Sequence, residues 1–308
     1  MAEAFALWPA TRALIRIEGT DSRAFLQGIV SNDVNKVSPA RAIYAALLTP
    51  QGKYLHDFFV AEVDGALVLD CEAARRDDLL RRLSRFKLRS KVSLAPGPEG
   101  FAVALIYGAG AAPALGLAAA RGSAARFAGG VAYVDPRLAE IGARAIVPLE
   151  PGRAALAAAG AVPGAEAGYD RRRLEHGLPD GSRDLEIEKS ILLENGFEEL
   201  AGVDWDKGCY LGQELTARTH YRALIKKRLV PVRIEGPAPA PGTPILAGET
   251  EMGAMRSARD GVGLALLKVD AIAGALPLTA GTARIVPNRP SWLKLPELQA
   301  DPTPLRRG

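Results

Sequence analysis

The chain has 308 residues, a formal net charge of +4, 48% hydrophobic and 24% charged residues. That balance is ordinary for a folded globular protein and argues against a disordered or fibrous chain. The length exceeds one compact core and predicts two or three domains. No apolar run approaches the roughly 20 residues a membrane helix needs, so no membrane partner is expected. Two cysteines, Cys71 and Cys209, argue against a disulfide scaffold and fit a reducing compartment. The stretch Met1 to Pro9 carries Glu3 and no basic run, a poor secretory leader. A cytoplasmic protein is expected.

Taken in chain order, residues 11–18 alternate as a strand, with Ala13, Ile15 and Ile17 on one face. Asp21 then predicts the N-cap of a helix carrying Phe25, Leu26, Ile29 and Val30. Residues 41–48 and 54–63 read as strands, and Asp64-Gly65 predicts a tight hairpin into 67–71. A helix over 73–86 and a strand over 90–94 follow. The Gly/Ala-rich stretch 108–130 suggests a short helix over 111–120, and 149–159 reads as another helix. From about Lys226, short strands over 228–234, 263–267 and 282–286 predict a small β-barrel or sandwich. The proline-rich run 235–244 is a loop within it. Strands and helices without a βαβ rhythm predict an α+β protein.

Basic residues cluster at Arg75, Arg76, Arg81, Arg82, Arg85, Lys87, Arg89 and Lys91, against Asp77 and Asp78 alone. Such a run suits RNA phosphates, or the acidic tail of a folate polyglutamate. It also suits a solvated helix face with Leu79, Leu80, Leu83 and Phe86 buried opposite.

The most informative segment is Lys207-Gly208-Cys209-Tyr210-Leu211-Gly212-Gln213-Glu214. Cys71 sits in an apolar run, but Cys209 lies between glycines, which permit positive φ or close backbone approach. A neighbouring ammonium such as Lys207 favours the reactive thiolate. A self-contained [4Fe-4S] cluster wants about four thiolates, and His56, His176 and His220 have no ligand-like spacing. No stably bound metal is expected. Transient contact with a partner's cluster, mixed-disulfide chemistry and persulfide chemistry stay open for Cys209.

The run 204–219 around this octapeptide resembles the signature of the YgfZ family, folate-binding proteins related to the aminomethyltransferase (T protein) of glycine cleavage. That family includes mitochondrial factors that help mature [4Fe-4S] proteins. Residues 13–34, 49–57 and 173–181 are similar to three further blocks shared across the superfamily. The resemblance implies an aminomethyltransferase (T-protein)-like α+β fold. Two α+β subdomains would span residues 1–224, and a C-terminal β-rich barrel residues 225–308. It implies a tetrahydrofolate site in which Glu175, with Arg173 beside it, meets the pterin, and Asp57 lies near the reacting folate nitrogen. Cys209 would be the functional thiol, with Lys207, Gln213 and Glu214 shaping its surroundings. Glycine-cleavage transferases show a related Lys-x-x-Phe-x-Gly pattern without this cysteine and the Gln-Glu pair.

The leading expectation is therefore a folate-binding accessory factor for assembly or repair of [4Fe-4S] clusters. Its partners would be client enzymes or cluster-assembly proteins. The alternatives are a tetrahydrofolate-dependent aminomethyl or methyl transferase with Asp57 as acid or base, and an RNA-binding factor linked to tRNA modification.

Overall fold

A computed structural model describes residues 3–222, 225–274 and 276–295. Its first part is built on two facing sheets. The strands Ile43–Leu48, Tyr54–Val63, Ala66–Glu72, Arg12–Glu18 and Ser93–Pro96 form a five-stranded antiparallel sheet in that spatial order. Asp64 and Gly65 both take positive φ (48° and 79°), the twist a two-residue hairpin needs, and join the second and third of these strands.

The second sheet has six strands, ordered Val162–Pro163, Phe5–Leu7, Phe101–Tyr107, Ala143–Pro148, Gly130–Val134 and Ala124–Phe127. None of them is predicted from the sequence. Phe101-Ala-Val-Ala-Leu-Ile-Tyr and Ala143-Arg-Ala-Ile-Val-Pro are diluted by alanine, a weak strand former, so their pattern carries little signal. The expected helix over 111–120 shrinks to Ala111–Ala114, because this stretch connects sheet strands and is ended by Gly116 at φ +64°.

Each sheet buries both faces. Leu14, Tyr44, Phe59 and Val68 of the first meet Val103, Leu105, Tyr133 and Ile146 of the second in the central core. Ile15, Phe58, Leu67 and Leu69 on the opposite face are covered by Phe25 and Leu26 of the Ser22–Gln27 helix and Leu79 and Leu83 of the Arg76–Phe86 helix. Ala104, Ala132 and Ala145 on the far face of the second sheet meet Leu156 of the Leu149–Ala158 helix. The order is helix, sheet, sheet, helix.

The Ser22–Gln27 helix is shorter than its apolar stripe suggests, ending before Ile29 and Val30. Asp21 occupies its N-cap position without a side-chain cap; its carboxylate accepts the Lys91 backbone N–H at 2.7 Å instead.

Six strands close a barrel in the order Lys227–Glu235, Val262–Lys268, Thr250–Arg259, Pro244–Ala247, Leu278–Ala280 and Ala283–Pro287, the last pairing back to the first. Barrel, rather than sandwich, is decided by that closing pair. The helix Glu166–Glu175 packs Leu174 against Leu229 and Leu264 of the barrel. The expected division after residue 224 falls on residues outside those described.

Candidate functional site

The Cys209 loop is held by two separate segments of the chain. Ser31 Oγ donates to the Gly202 carbonyl at 2.6 Å, and Asn32 Nδ2 to the Ala201 and Tyr44 carbonyls at 2.8 and 2.7 Å. Gln27 Nε2 donates to the Lys207 carbonyl at 3.2 Å, and the Leu211 N–H to the Gly28 carbonyl at 3.1 Å. Lys36 pairs with Asp204. The segment 49–53 closes the other side. Gly212 has φ +77°, and a Cβ there would lie 2.3 Å from the Thr49 carbonyl oxygen; one at Gly52 would lie 2.7 Å from the Gly212 oxygen. Only glycines allow the two turns to touch. Residues far apart in sequence thus make one bed for the motif.

Lys207 turns inward. Its Nζ donates to the Gln27 and Val30 carbonyls, both at 2.6 Å, at the C-terminal end of the Ser22–Gln27 helix. The ammonium also lies 4.8 Å from the Tyr210 ring centre. Burial pulls its pKa down to about 8, with Asp33 and Asp204 opposing. The ammonium expected to shape the thiol's surroundings is thus committed to backbone carbonyls, because the unsatisfied carbonyls at a helix end attract a cation. Gln213 is likewise committed, its Oε1 accepting the Tyr210 N–H at 3.1 Å. Glu214 is exposed in the first turn of the Gln213–Tyr221 helix. Tyr210 is buried in the central core.

Cys209 itself is exposed, flanked by Gly208 at φ +85° and by buried Tyr210. Cys71 is buried in the five-stranded sheet, where burial pushes its thiol up to about 12. The two thiols differ in kind, one inert and one presented. Beside the loop, Glu198 accepts the Trp205 Nε1–H at 3.2 Å and pairs with His220 Nδ1 at 3.1 Å. The His220 ring lies 4.2 Å from that of Trp205, and Tyr221 stands 76% exposed next to both. His220 is thus committed to its carboxylate and indole. Among the described residues no group of His, Cys, Asp or Glu is arranged to hold a metal ion.

The expected folate residues do not meet. Asp57 is buried between the sheets, its two oxygens accepting the Tyr54 and Tyr44 hydroxyls at 2.7 and 2.8 Å. Arg173 is buried, its Nε on Asp170 and its Nη1 on Asp184, both at 2.7 Å, while its Nη2 has no partner among the described residues. Glu175 lies at the solvent end of its helix, paired with Arg171 at 2.9 Å, bordering a separate cavity of about 350 Å3 on the barrel that neither Asp57 nor Arg173 lines. The residue at the helix end points outward because the inward positions are taken by Asp170, Arg173 and Leu174.

Between the sheets runs a buried chain of ion pairs absent from the sequence expectations. Arg144 bridges Asp70 at 2.8 Å and Asp135 at 3.2 Å; Arg12 joins Asp70 at 2.7 Å, and Arg137 joins Asp135 at 2.9 Å. The Arg144 guanidinium sits 3.7 Å from the Phe59 ring centre. Burial alone would raise the Asp135 carboxyl, but Arg137 and Arg144 outweigh it and hold it at about 2. Lone charges inside strand patterns, Asp70 and Arg144, are the signal by which a sequence could reveal such a chain. The cavity it borders, with Asp180 and Arg173, measures about 30 Å3. That holds a water molecule, whereas ligand pockets run to roughly 300 Å3 and more. The residues as arranged do not fit a tetrahydrofolate.

Comparison with known proteins adds the family. The C-terminal region, residues 226–295, matches the family described as CAF17, C-terminal beta-barrel domain. The human mitochondrial iron-sulfur cluster assembly factor IBA57 is 35% identical over 295 residues, covering 87% of this chain and 79% of that protein. The chain belongs to the IBA57 family. The mouse IBA57 protein is 32% identical over 301 residues, covering 89% of this chain and 80% of its own length. The fold is that of an aminomethyltransferase. The glycine cleavage system aminomethyltransferase T of Bartonella henselae superposes with a TM-score of 0.77 at 16% identity, covering 95% of this chain and 87% of that one. These IBA57 relatives are named mitochondrial, which overturns the cytoplasmic placement. The cysteine count behind that placement distinguishes reducing from oxidising compartments and nothing finer.

Proposed function

We propose that the chain serves in the assembly of iron–sulfur clusters, presenting Cys209 to a cluster or a cluster-bearing protein partner. The observation that carries this reading is the contrast in the motif. A single exposed thiol stands on a loop that hydrogen bonds fix to other segments of the chain on either side of it. One thiolate is too few to own a cluster but enough to complete a site whose other ligands come from a partner. The names of the IBA57 relatives support the process; the choice of Cys209 rests on the geometry.

The transferase reading loses its support at Asp57. A general acid or base must reach the proton it moves, and both oxygens of this carboxylate are taken by tyrosine hydroxyls between the sheets.

The test is a Cys209→Ala variant placed in cells lacking the wild-type chain, with [4Fe-4S] enzyme activity as readout. The variant is expected to fold with an unchanged thermal midpoint and to leave those enzymes unmatured. Normal maturation would refute the role of Cys209. In a parallel titration followed by Trp205 fluorescence, tetrahydrofolate is expected to give no saturable change; saturation at micromolar ligand would show that the sheets open to admit it.

A further inference from the structure

The basic run of the sequence divides into two halves with different fates. In the first half every cation is engaged. Arg82 meets Asp78 at 2.8 Å, Arg81 pairs with the same carboxylate, and Arg76 meets Asp77 at 2.9 Å. Arg75 donates to the Leu55 carbonyl at 2.6 Å. In the second half, Arg85, Lys87, Arg89 and Lys91 have no ion-pair partner among the described residues. The nearby carboxylates are committed, Asp21 to the Lys91 and Thr20 donors and Glu18 to Arg16.

At the centre of these four cations stands Leu88, 89% exposed, with Phe86 beside it 37% exposed. Leu88 also takes φ +41°, a left-handed conformation that a leucine adopts at a cost and a glycine does not. The turn is closed internally and held at its far end, where the Lys91 N–H donates to Asp21 at 2.7 Å. The Ser90 N–H donates to the Lys87 carbonyl at 2.8 Å, and a Cβ at Gly19 would lie 2.1 Å from the Lys91 carbonyl oxygen. Leu88 thus points outward from a hydrogen-bonded turn.

We propose that the turn 85–91 is a docking surface for an anionic phospholipid bilayer. Leu88 and Phe86 enter the boundary between headgroups and acyl chains while Arg85, Lys87, Arg89 and Lys91 lie over the headgroup phosphates. This is a surface contact and not a span; no helix among the described residues is long and apolar enough to cross a membrane. A nucleic acid would use the cations and the Phe86 ring, but it offers the aliphatic Leu88 side chain, the more exposed of the tip's two apolar groups, nothing to enter. A folded acidic protein needs about 800 Å2 of its partner's surface, more than a seven-residue tip presents. Nothing in this surface depends on the role of Cys209.

The test is co-sedimentation of the full chain with phosphatidylcholine vesicles, with and without phosphatidylglycerol at roughly one headgroup in three. Binding is expected only to the anionic vesicles, weakening as salt rises. Leu88→Gly removes the apolar tip and relieves the left-handed strain, so its thermal midpoint should hold or rise while vesicle binding falls roughly tenfold. A double Lys87→Ala, Arg89→Ala variant should lose the preference for anionic vesicles. Absence of binding to anionic vesicles at low salt would overturn the proposal. So would undiminished binding by Leu88→Gly, which would make the tip a general polyanion site, as would tighter binding to a single-stranded RNA probe that Leu88→Gly leaves unchanged.

Discussion

At Gly212 a hydrogen atom stands where a methyl group would lie 2.3 Å from the Thr49 carbonyl oxygen. Gly208, just before Cys209, has a similar φ of +85° but open space around its Cβ position. The pair separates conformation from contact. Gly208→Ala should cost about 1 kcal/mol for the left-handed backbone alone. Gly212→Ala meets a carbonyl as well and should exceed about 2 kcal/mol. Urea unfolding of both variants measures the difference; equal costs would mean that the 49–53 turn yields and is no part of the bed.

The Arg76–Phe86 helix shows how an element is fixed by a buried histidine paired with a half-buried carboxylate as well as by its apolar stripe. Leu79 and Leu83, four residues apart, face the sheet. Beside them His56 of the Tyr54–Val63 strand meets Asp78 at 3.0 Å. Burial, with Arg75 adding to it, pulls the imidazole down to about 4, against the pull of Asp78. Its ordinary value is 6.5, so the unfolded chain binds more protons than the folded one between those values. Stability therefore rises with pH from about 4 to 6.5 and is lost as pH falls through that window. The thermal midpoint of the wild type should drop between about pH 7 and pH 4.5, by more than that of His56→Gln, which has no proton to gain there. Parallel profiles for the two proteins would remove His56 from the acid response.

Over the whole molecule, the barrel is tied through Asp184 to the Glu166–Glu175 helix and the segment after it. One oxygen accepts the Ser257 N–H at 3.1 Å and its hydroxyl, and the other pairs with Arg173. Arg259 reaches back to Asp170 at 2.7 Å. Removing one member of such a buried network leaves the others uncompensated, at about 3 kcal/mol or more. Asp184→Ala should lower the thermal midpoint and expose the segment before the barrel to limited proteolysis; wild-type cleavage kinetics would mean that the apolar contact of Leu174 with the barrel suffices.

Read alone, the chain determined what depends on near neighbours. The Asp64-Gly65 hairpin, the helix Leu149–Ala158, the barrel's first strand and the special setting of Cys209 are all local in origin, set by φ preferences and side-chain periodicity. The tertiary structure decided what depends on distant partners. It assembled an alanine-rich second sheet from strands too weakly patterned to announce themselves. It sealed Asp57 with two tyrosines, turned Glu175 to solvent and committed Lys207 to the Gln27 and Val30 carbonyls. The buried outcomes share one cause: a charge or hydroxyl removed from water takes the nearest partner the fold supplies, and that partner often lies far along the chain.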